Sequence, residues 1–467
     1  MPDPVPAVHT ADDLRCRHRR LVYESYEYTA GRAGVQVRFR FLLEPDVEFN
    51  PTLVLPYDRS ASALDDAALD LLLFHVGLVE AISYWKASCP PTLLVRAGRL
   101  TEAQTGWWHD LFLHGLGQFF FENRIDFRVP DFLRIVSEGP VHRPFRLAGP
   151  PEGHIVMAGG GKDSAVALEL LRQLDRPATV LVLNPIRAAV ESAGVAGYAP
   201  AAVARRTIDP ALLALNARGY LNGHTPFSAY LAFLGVLCAA LSNRRHVIVA
   251  NEAGAGEENV SYLGLPVNHQ YSKSLRFERA FRDYCAAHLT PDVEYFSLVR
   301  PLHDLQVTSL FAGFPAHHRS FRSCNVGQRT DSWCGTCPKC AYVYLSLYPF
   351  LPADALRAIF GGDLYDRPEI GDHVRALVGL AGHKPFECVG TREESIMAVA
   401  LGIRRARRDG RPVPELLRQI DGELGLSASG TLDRAPGWLH GTWGAEHCVP
   451  ADYLPVVDGA LRQADVP

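Results

Sequence analysis

The chain has 467 residues, 48% hydrophobic and 21% charged, with a formal net charge of −4. This length supports two or three domains with buried cores, and the slight negative charge leaves no basic footprint for nucleic acid as a partner. The N-terminal MPDPVPAVHTADDLRCRHRR lacks the apolar centre of a secretory signal. The longest apolar run, YLAFLGVLCAAL from Tyr230, falls short of the roughly 20 residues that span a bilayer, so a cytoplasmic protein without a membrane partner is expected.

In chain order, residues 1–150 mix strand-like runs (VQVRFRFLL, TLVLP, TLLVRAG) with helical LDLLLFHVGLVEAISYW and TGWWHDLFLHGLGQFFFEN, which predicts an N-terminal α+β domain with Trp107 and Trp108 in its core. From His154 short apolar runs alternate with helical periodicity: HIVMA (154–158), ATVLVLN (178–184), VARRTID (203–209), HVIVAN (246–251) and VEYFSLV (293–299). Such alternation predicts a doubly wound α/β domain with a parallel sheet over 151–350, its ligands at the carboxyl ends of the strands. Residues 351–467 read as a helical, arginine-rich C-terminal region. The basic runs Arg15–Arg20 and Arg404–Arg408 read as solvated faces or as an electrostatic lure for a polyanion.

Residues 157–171, MAGGGKDSAVALELL, place three glycines between a strand and a helix whose Ala167, Leu170, Leu171 and Leu174 fall on one face. Unpaired amides at such a turn attract anions, yet the spacing fits neither a Walker loop nor a dinucleotide fingerprint. Gly159-Gly160-Gly161-Lys162-Asp163-Ser164 resembles the SGGxDS signature of the N-type ATP pyrophosphatases, with Gly159 where that signature has serine. The resemblance implies an adenine nucleotide alpha hydrolase-like PP-loop domain that cleaves ATP to AMP and pyrophosphate. By residue type, Gly160 and Gly161 admit the phosphates, Lys162 neutralises departing pyrophosphate, Asp163 holds Mg²⁺ and Ser164 bonds a phosphate. VRPLHDLQVTSLFAG (299–313) resembles the family's PLxDLxKxE segment without its lysine and glutamate. In ANEAGAGEEN, Glu252, Glu257 and Glu258 read as Mg²⁺ ligands, bases or solvated loop carboxylates.

CNVGQRTDSWCGTCPKC brings Cys324, Cys334, Cys337 and Cys340 within reach of one tetrahedral metal, a structural Zn²⁺, against the alternatives of a redox pair or plain thiols. It resembles the zinc knot of the 7-cyano-7-deazaguanine synthases. Only five of the 47 basic residues are lysines (Lys86, Lys162, Lys273, Lys339, Lys384), which points to positions where a compact ammonium is needed.

Longer stretches, among them LVEAISYWKASCPP, LNGHTPFSAYLAF, NHQYSKSLRFERAFRDY and GHKPFECVGTREES, resemble the bacterial UDP-N-acetylmuramoyl-L-alanyl-L-glutamate epimerases from about residue 70 to 395. That resemblance implies ATP-dependent epimerisation of the terminal L-glutamate of UDP-MurNAc-L-Ala-L-Glu through an acyl-adenylate, without pyridoxal phosphate. His269, Lys273 and Glu252 are the proton-transfer candidates; histidine's ordinary pKa suits the task best. Lys273 reads alternatively as an anion clamp, and His224 as a substrate contact or a turn residue; Cys388 and Lys384 are further candidates, with packing the alternative for Cys388. Two alternatives stay open: a nucleobase-modifying PP-loop enzyme, and a nucleotide-binding protein without catalysis. The sequence carries no marker of oligomeric state.

Overall fold

Alternation builds the first hairpin. The strand Arg20–Gly31 (β1) pairs antiparallel with Gly34–Leu43 (β2), where Val35, Val37, Phe39, Phe41 and Leu43 point inward and Gln36, Arg38 and Arg40 outward. Val47–Phe49 (β3) and Thr52–Leu55 (β4) add to β2 antiparallel, while Thr92–Val95 (β5) runs parallel to β1 and Arg134–Ser137 (β6) parallel to β5. Downstream come His154–Met157 (β7), Ala178–Leu183 (β8), Ala202–Thr207 (β9), His246–Val249 (β10), the ribbon Val260–Tyr262 (β11) and Leu265–Val267 (β12), and Glu294–Ser297 (β13). The computed structural model describes residues 9–198, 200–327, 330–441, 444 and 446–463.

The mixed α/β chain, with its parallel-rich sheet, clusters into two units. The first comprises Met1–Ile155, Ala202–Val247 and Ser261–Tyr295; the second comprises Val156–Ala201, Ile248–Val260 and Phe296–Pro467. The first unit's strand order is β9-β4-β2-β1-β5-β6, with β3 on β2. Its core helix, Asp66–Trp85, is capped by Asp65 accepting from Ala68 N–H, and it packs against the helix Phe227–Leu241. By length and composition Asp66–Trp85 is apolar enough to cross a membrane, a candidate that counting uninterrupted apolar runs passes over. Its most apolar window is 89% buried within the protein, which marks a core helix instead. Glu80 inside that helix is buried and meets Arg206 through two bonds of 2.7 Å, so the charge is compensated. Trp108 is fully buried: its indole N–H donates to the Tyr284 hydroxyl at 2.9 Å and its ring stacks on Phe233. Trp107 is only partly buried and donates to the Ala280 carbonyl.

A further stretch of strand order is β8-β7-β10-β13, of which β8 and the carboxyl-terminal halves of β7, β10 and β13 belong to the second unit. Glu294 N–H donates to the Arg245 carbonyl and Leu298 N–H to that of Val249; both partners advance together, so β10 and β13 run parallel. Chain order reverses across β7, with β8 on one side and β10 on the other, the kind of switch point where open α/β sheets take ligands. The helix after β7, Lys162–Leu171, is buried on every side rather than on one, because the helix Asp304–Ala312 and two others flank it.

The basic runs are not solvated throughout. Arg15 donates to the Cys89 and Phe132 carbonyls and lies 4.3 Å over the Phe132 ring, and Arg405 bonds Asp409 and the Pro349 carbonyl. Arg407 and Arg408 remain exposed.

Candidate functional site

The glycine loop leaves the carboxyl end of β7. Gly160 has φ +82°, and a Cβ there would lie 2.7 Å from the Ala189 nitrogen, so only glycine fits. Gly161 is the N-cap of Lys162–Leu171 and has no side chain to cap the helix, while the Ser164 hydroxyl turns back onto the Gly161 carbonyl at 2.9 Å. The Gly160 carbonyl accepts from Arg322 N–H at 2.8 Å. Gly159 is exposed, with nothing near its absent Cβ.

Lys162 is 1% exposed, its ammonium 2.5 Å from Asp163 and 2.7 Å from Asp304. Burial opposes its charge, but the two carboxylates outweigh burial and its pKa lies above the ordinary lysine value. Asp304 begins the helix Asp304–Ala312 and accepts a 2.6 Å bond from the Tyr342 hydroxyl; burial works against its charge, yet Lys162 and Lys339 hold its pKa low. This aspartate comes from the PLHDL segment. The loop after β10 supplies Glu252, which is buried with Oε2 unbonded, while its carbonyl accepts from buried Arg300 at 2.6 Å. Burial, then the Asp304 and Glu394 carboxylates, pushes the Glu252 carboxyl up to about 8, so it carries a proton at neutral pH. Glu394, fully buried, accepts from Thr391 N–H at 2.5 Å and from Leu305 N–H at 3.3 Å.

Of the other acidic loop residues, Glu257 pairs with Lys384 and accepts from Arg392 N–H, and Glu258 is exposed. Neither has the buried setting of Glu252. Cys388 gives its carbonyl to the buried Lys339 ammonium. A Ser192–His317–Glu169 line also runs through this unit at 3.2 and 2.8 Å, but Ser192 and His317 are 0% exposed, which leaves no path for a substrate and makes the line structural.

The four clustered cysteines converge: their sulfurs all lie within 4.8 Å of one another, with Cys324 to Cys337 at 3.8 Å and Cys334 to Cys340 at 3.7 Å. A tetrahedral site with Zn–S near 2.3 Å has sulfur–sulfur edges of about 3.8 Å. Backbone amides point at the sulfurs, Gly327 N–H to Cys324 at 3.2 Å and Gly335 N–H to Cys340 at 3.3 Å, as metal-bound thiolates favour. The set fits one metal with no open position. Among the described residues no group of carboxylates converges in this way. Mg²⁺ asks less, since it takes one or two carboxylates together with phosphate oxygens and water, and Asp163 offers such a carboxylate, partly exposed.

His269 and Lys273 belong to the first unit. His269 Nδ1 lies 2.6 Å from the Gln118 side-chain oxygen, and its ring centroid is 4.8 Å from that of His224. Burial, then His269, Lys86 and Lys273, pushes His224 down to about 3, which keeps it neutral. Lys86 donates to the carbonyl of Gly223, a residue at φ +149°; burial, then Arg206, pushes Lys86 down to about 8. His224 is thus more than a turn residue: it joins His269 and Lys86 in one basic cluster. Lys273 is partly exposed, in the short helix Tyr271–Lys273.

Comparison with known proteins decides the family. The description "MurL N-terminal domain" matches residues 13–298 and "MurL C-terminal domain" residues 318–429. The chain belongs to the MurL family. Proteins named UDP-N-acetyl-alpha-D-muramoyl-L-alanyl-L-glutamate epimerase resemble it over most of their length. That of Micromonospora sp. is 35% identical over 440 residues, 91% of this chain and 95% of the relative. That of Salinispora tropica is 34% identical over 407 residues (85% and 88%), and that of Xanthomonas oryzae pv. oryzae 34% over 398 (80% and 87%). No solved structure matches the chain. The glycine loop, Glu252 and His269 fall in the span of the MurL N-terminal domain, and the cysteines and Glu394 in that of the C-terminal domain. Asp304 and Arg300 lie in the stretch between the two MurL spans. With Glu394 they are site residues that sequence reasoning passed over, although the PLHDL segment pointed to Asp304.

Proposed function

We propose that the chain is an ATP-dependent epimerase that inverts the terminal L-glutamate of UDP-MurNAc-L-Ala-L-Glu for peptidoglycan precursor synthesis. The names of the relatives carry the substrate and the isomerase class. The observation that carries the use of ATP is Lys162, fixed as a cation by Asp163 and Asp304 beside the glycine loop.

In this reading a glutamate α-carboxylate oxygen attacks the α-phosphorus of ATP and pyrophosphate leaves. The Gly160–Gly161 backbone and the Lys162 ammonium meet the phosphate charge; Asp163 would hold Mg²⁺, which would supply positive charge against the departing pyrophosphate. The mixed anhydride lacks the negative charge that opposes enolate formation, so the α-proton becomes acidic enough for His269 to remove. A positioned base contributes about 10²- to 10⁴-fold at such a step. Glu252, protonated at neutral pH, returns or exchanges a proton in this reading, and Lys273 clamps an anion. Reprotonation on the opposite face and hydrolysis of the anhydride give the D-glutamyl product and AMP. A Zn²⁺ held by Cys324, Cys334, Cys337 and Cys340 is structural, because four sulfurs fill its coordination; metal analysis of the purified chain is expected to find one zinc per molecule, and a stoichiometry near zero would reject it.

The deciding experiment incubates the protein with ATP, Mg²⁺ and UDP-MurNAc-L-Ala-L-Glu in deuterated water, followed by chiral analysis of the glutamate. D-glutamate carrying α-deuterium, with one pyrophosphate released per turnover, is expected. Inversion at an undiminished rate without nucleotide would remove the acyl-adenylate from the mechanism.

A further inference from the structure

The ring orientation of His269 connects to a pair of polar side chains on one short helix. Gln118 and Glu122 lie one turn apart on Gly117–Glu122. Glu122 is exposed, and a carboxylate only accepts hydrogen bonds. Gln118, 8% exposed, has its side-chain nitrogen 2.7 Å from Glu122 Oε1. Reversing the amide would set oxygen against oxygen at that distance, so Glu122 dictates which end of Gln118 faces it. The other end, Oε1, then faces His269 Nδ1 at 2.6 Å. An amide oxygen only accepts, so Nδ1 must carry the hydrogen. In a neutral imidazole the lone pair then sits on Nε2.

The geometry points to Gln118 and Glu122 as positioning residues that fix His269 as the Nδ1–H tautomer and so make Nε2 its proton-accepting nitrogen. The role in catalysis rests on the reading of His269 as the residue that moves the α-proton. The tautomer itself rests only on the relay from Glu122 to Gln118 to His269. In the step so described, Nε2 takes the α-proton and the C–H electron pair passes to the anhydride carbonyl; imidazolium forms, and its Nδ1–H stays bonded to Gln118. The neighbouring His224 stays neutral and adds no charge to oppose that imidazolium. A wrong tautomer is costly in comparable settings, up to ~10⁴-fold in the serine protease triad.

A second histidine of the same unit provides an internal reference. His75 Nδ1 lies 2.8 Å from the Leu71 carbonyl, which only accepts, and its Nε2 lies 2.9 Å from the Tyr284 hydroxyl. His75 must therefore show the same tautomer, with no part in the relay of Glu122 and Gln118.

The test uses the full chain labelled with [¹⁵N]histidine and long-range ¹H–¹⁵N correlation of the rings, with His269→Gln to assign the signal. The wild type is expected to show His269 protonated at Nδ1 and bare at Nε2, matching His75. Glu122→Gln changes an exposed residue and frees the Gln118 amide to turn; it should mix the two tautomers and lower α-deuterium incorporation about threefold to tenfold, with KM nearly unchanged. Gln118→Met should lower it about 10²-fold. An Nε2–H signal for His269 in the wild type, or a Glu122→Gln spectrum identical to wild type, overturns the relay. If the relay holds but His269→Gln exchanges the α-proton at the wild-type rate, the catalytic reading of His269 fails, and with it the positioning role.

Discussion

Two buried lysines separate the two units chemically. Lys162 in the second is wrapped by Asp163 and Asp304, and its pKa is raised; Lys86 in the first donates to the Gly223 carbonyl, and its pKa is pushed down to about 8. Both side chains are at least nine-tenths hidden from solvent, so burial alone does not set the outcome. The partner does. A carboxylate pair locks the ammonium into its charged form, as a group meeting phosphate requires, whereas a lone carbonyl leaves an ammonium that gives up its proton near neutrality, as a site of proton traffic tolerates.

The sharpest way to break this contrast is to remove one carboxylate from Lys162. Asp304→Asn leaves Lys162 with Asp163 alone. Breaking a buried ion pair costs about 3–5 kcal/mol, which denaturant unfolding measures. Pyrophosphate release is expected to fall at least about 10²-fold, because Lys162 is then misplaced and less firmly charged. Wild-type release in Asp304→Asn would show that the ion pair has no part in nucleotide chemistry.

Glu252 and Lys86 titrate in opposite senses, and pH separates them. Glu252 is pushed up to about 8. Between its unfolded value near 4.5 and 8 the unfolded chain releases a proton that the folded chain keeps, so wild-type stability falls across that window relative to Glu252→Gln, by roughly 4–5 kcal/mol. Equal stability curves for the two proteins from pH 4.5 to 8 would mean that Glu252 ionises normally. For Lys86, from 8 to about 10.5 the folded chain has released a proton that the unfolded chain still binds. Wild-type stability therefore rises relative to Lys86→Met with increasing pH, by roughly 3 kcal/mol, and is lost as pH falls through 8. A flat difference would place Lys86 with Lys162 rather than opposite it.

How much of this was legible in the sequence depends on the range of the interaction. β7, β8 and β10 are read nearly to their ends because each is dominated by a continuous apolar run, as HIVM in β7 and HVIV in β10, whereas the short ribbon β11–β12 was not read. β1, RLVYESYEYTAG, was missed since only Leu21 to Tyr23 are buried and the rest carries the charges and tyrosines of a partly exposed strand. Of the five lysines, Lys86, Lys162, Lys339 and Lys384 are buried and Lys273 is partly exposed, a burial that the scarcity of lysine did not by itself announce. Asp304 was visible as a letter of the PLHDL segment, but not as the partner of Lys162, 142 residues away. Glu394 was hidden by a second duty. It closes the capping box Thr391-x-x-Glu394, a local pattern that explains the glutamate fully and gives no hint that it also receives Leu305 N–H.

The smallest expected effect lies at the one letter in which the loop departs from the pyrophosphatase signature. Gly159 has an ordinary backbone conformation and open space where its Cβ would be, so Gly159→Ser is expected to shift stability by less than about 0.5 kcal/mol and pyrophosphate release by less than about threefold. One residue on, Gly160→Ala forces a Cβ against the Ala189 backbone at a positive φ and should cost more than the 0.4–1 kcal/mol by which alanine at a compatible site would help. The pair isolates what the loop needs. If the phosphates are held by backbone amides, the added hydroxyl at 159 is idle and the strained methyl at 160 is harmful; a large gain in turnover from Gly159→Ser would mean instead that the loop lacks a donor that its chemistry uses.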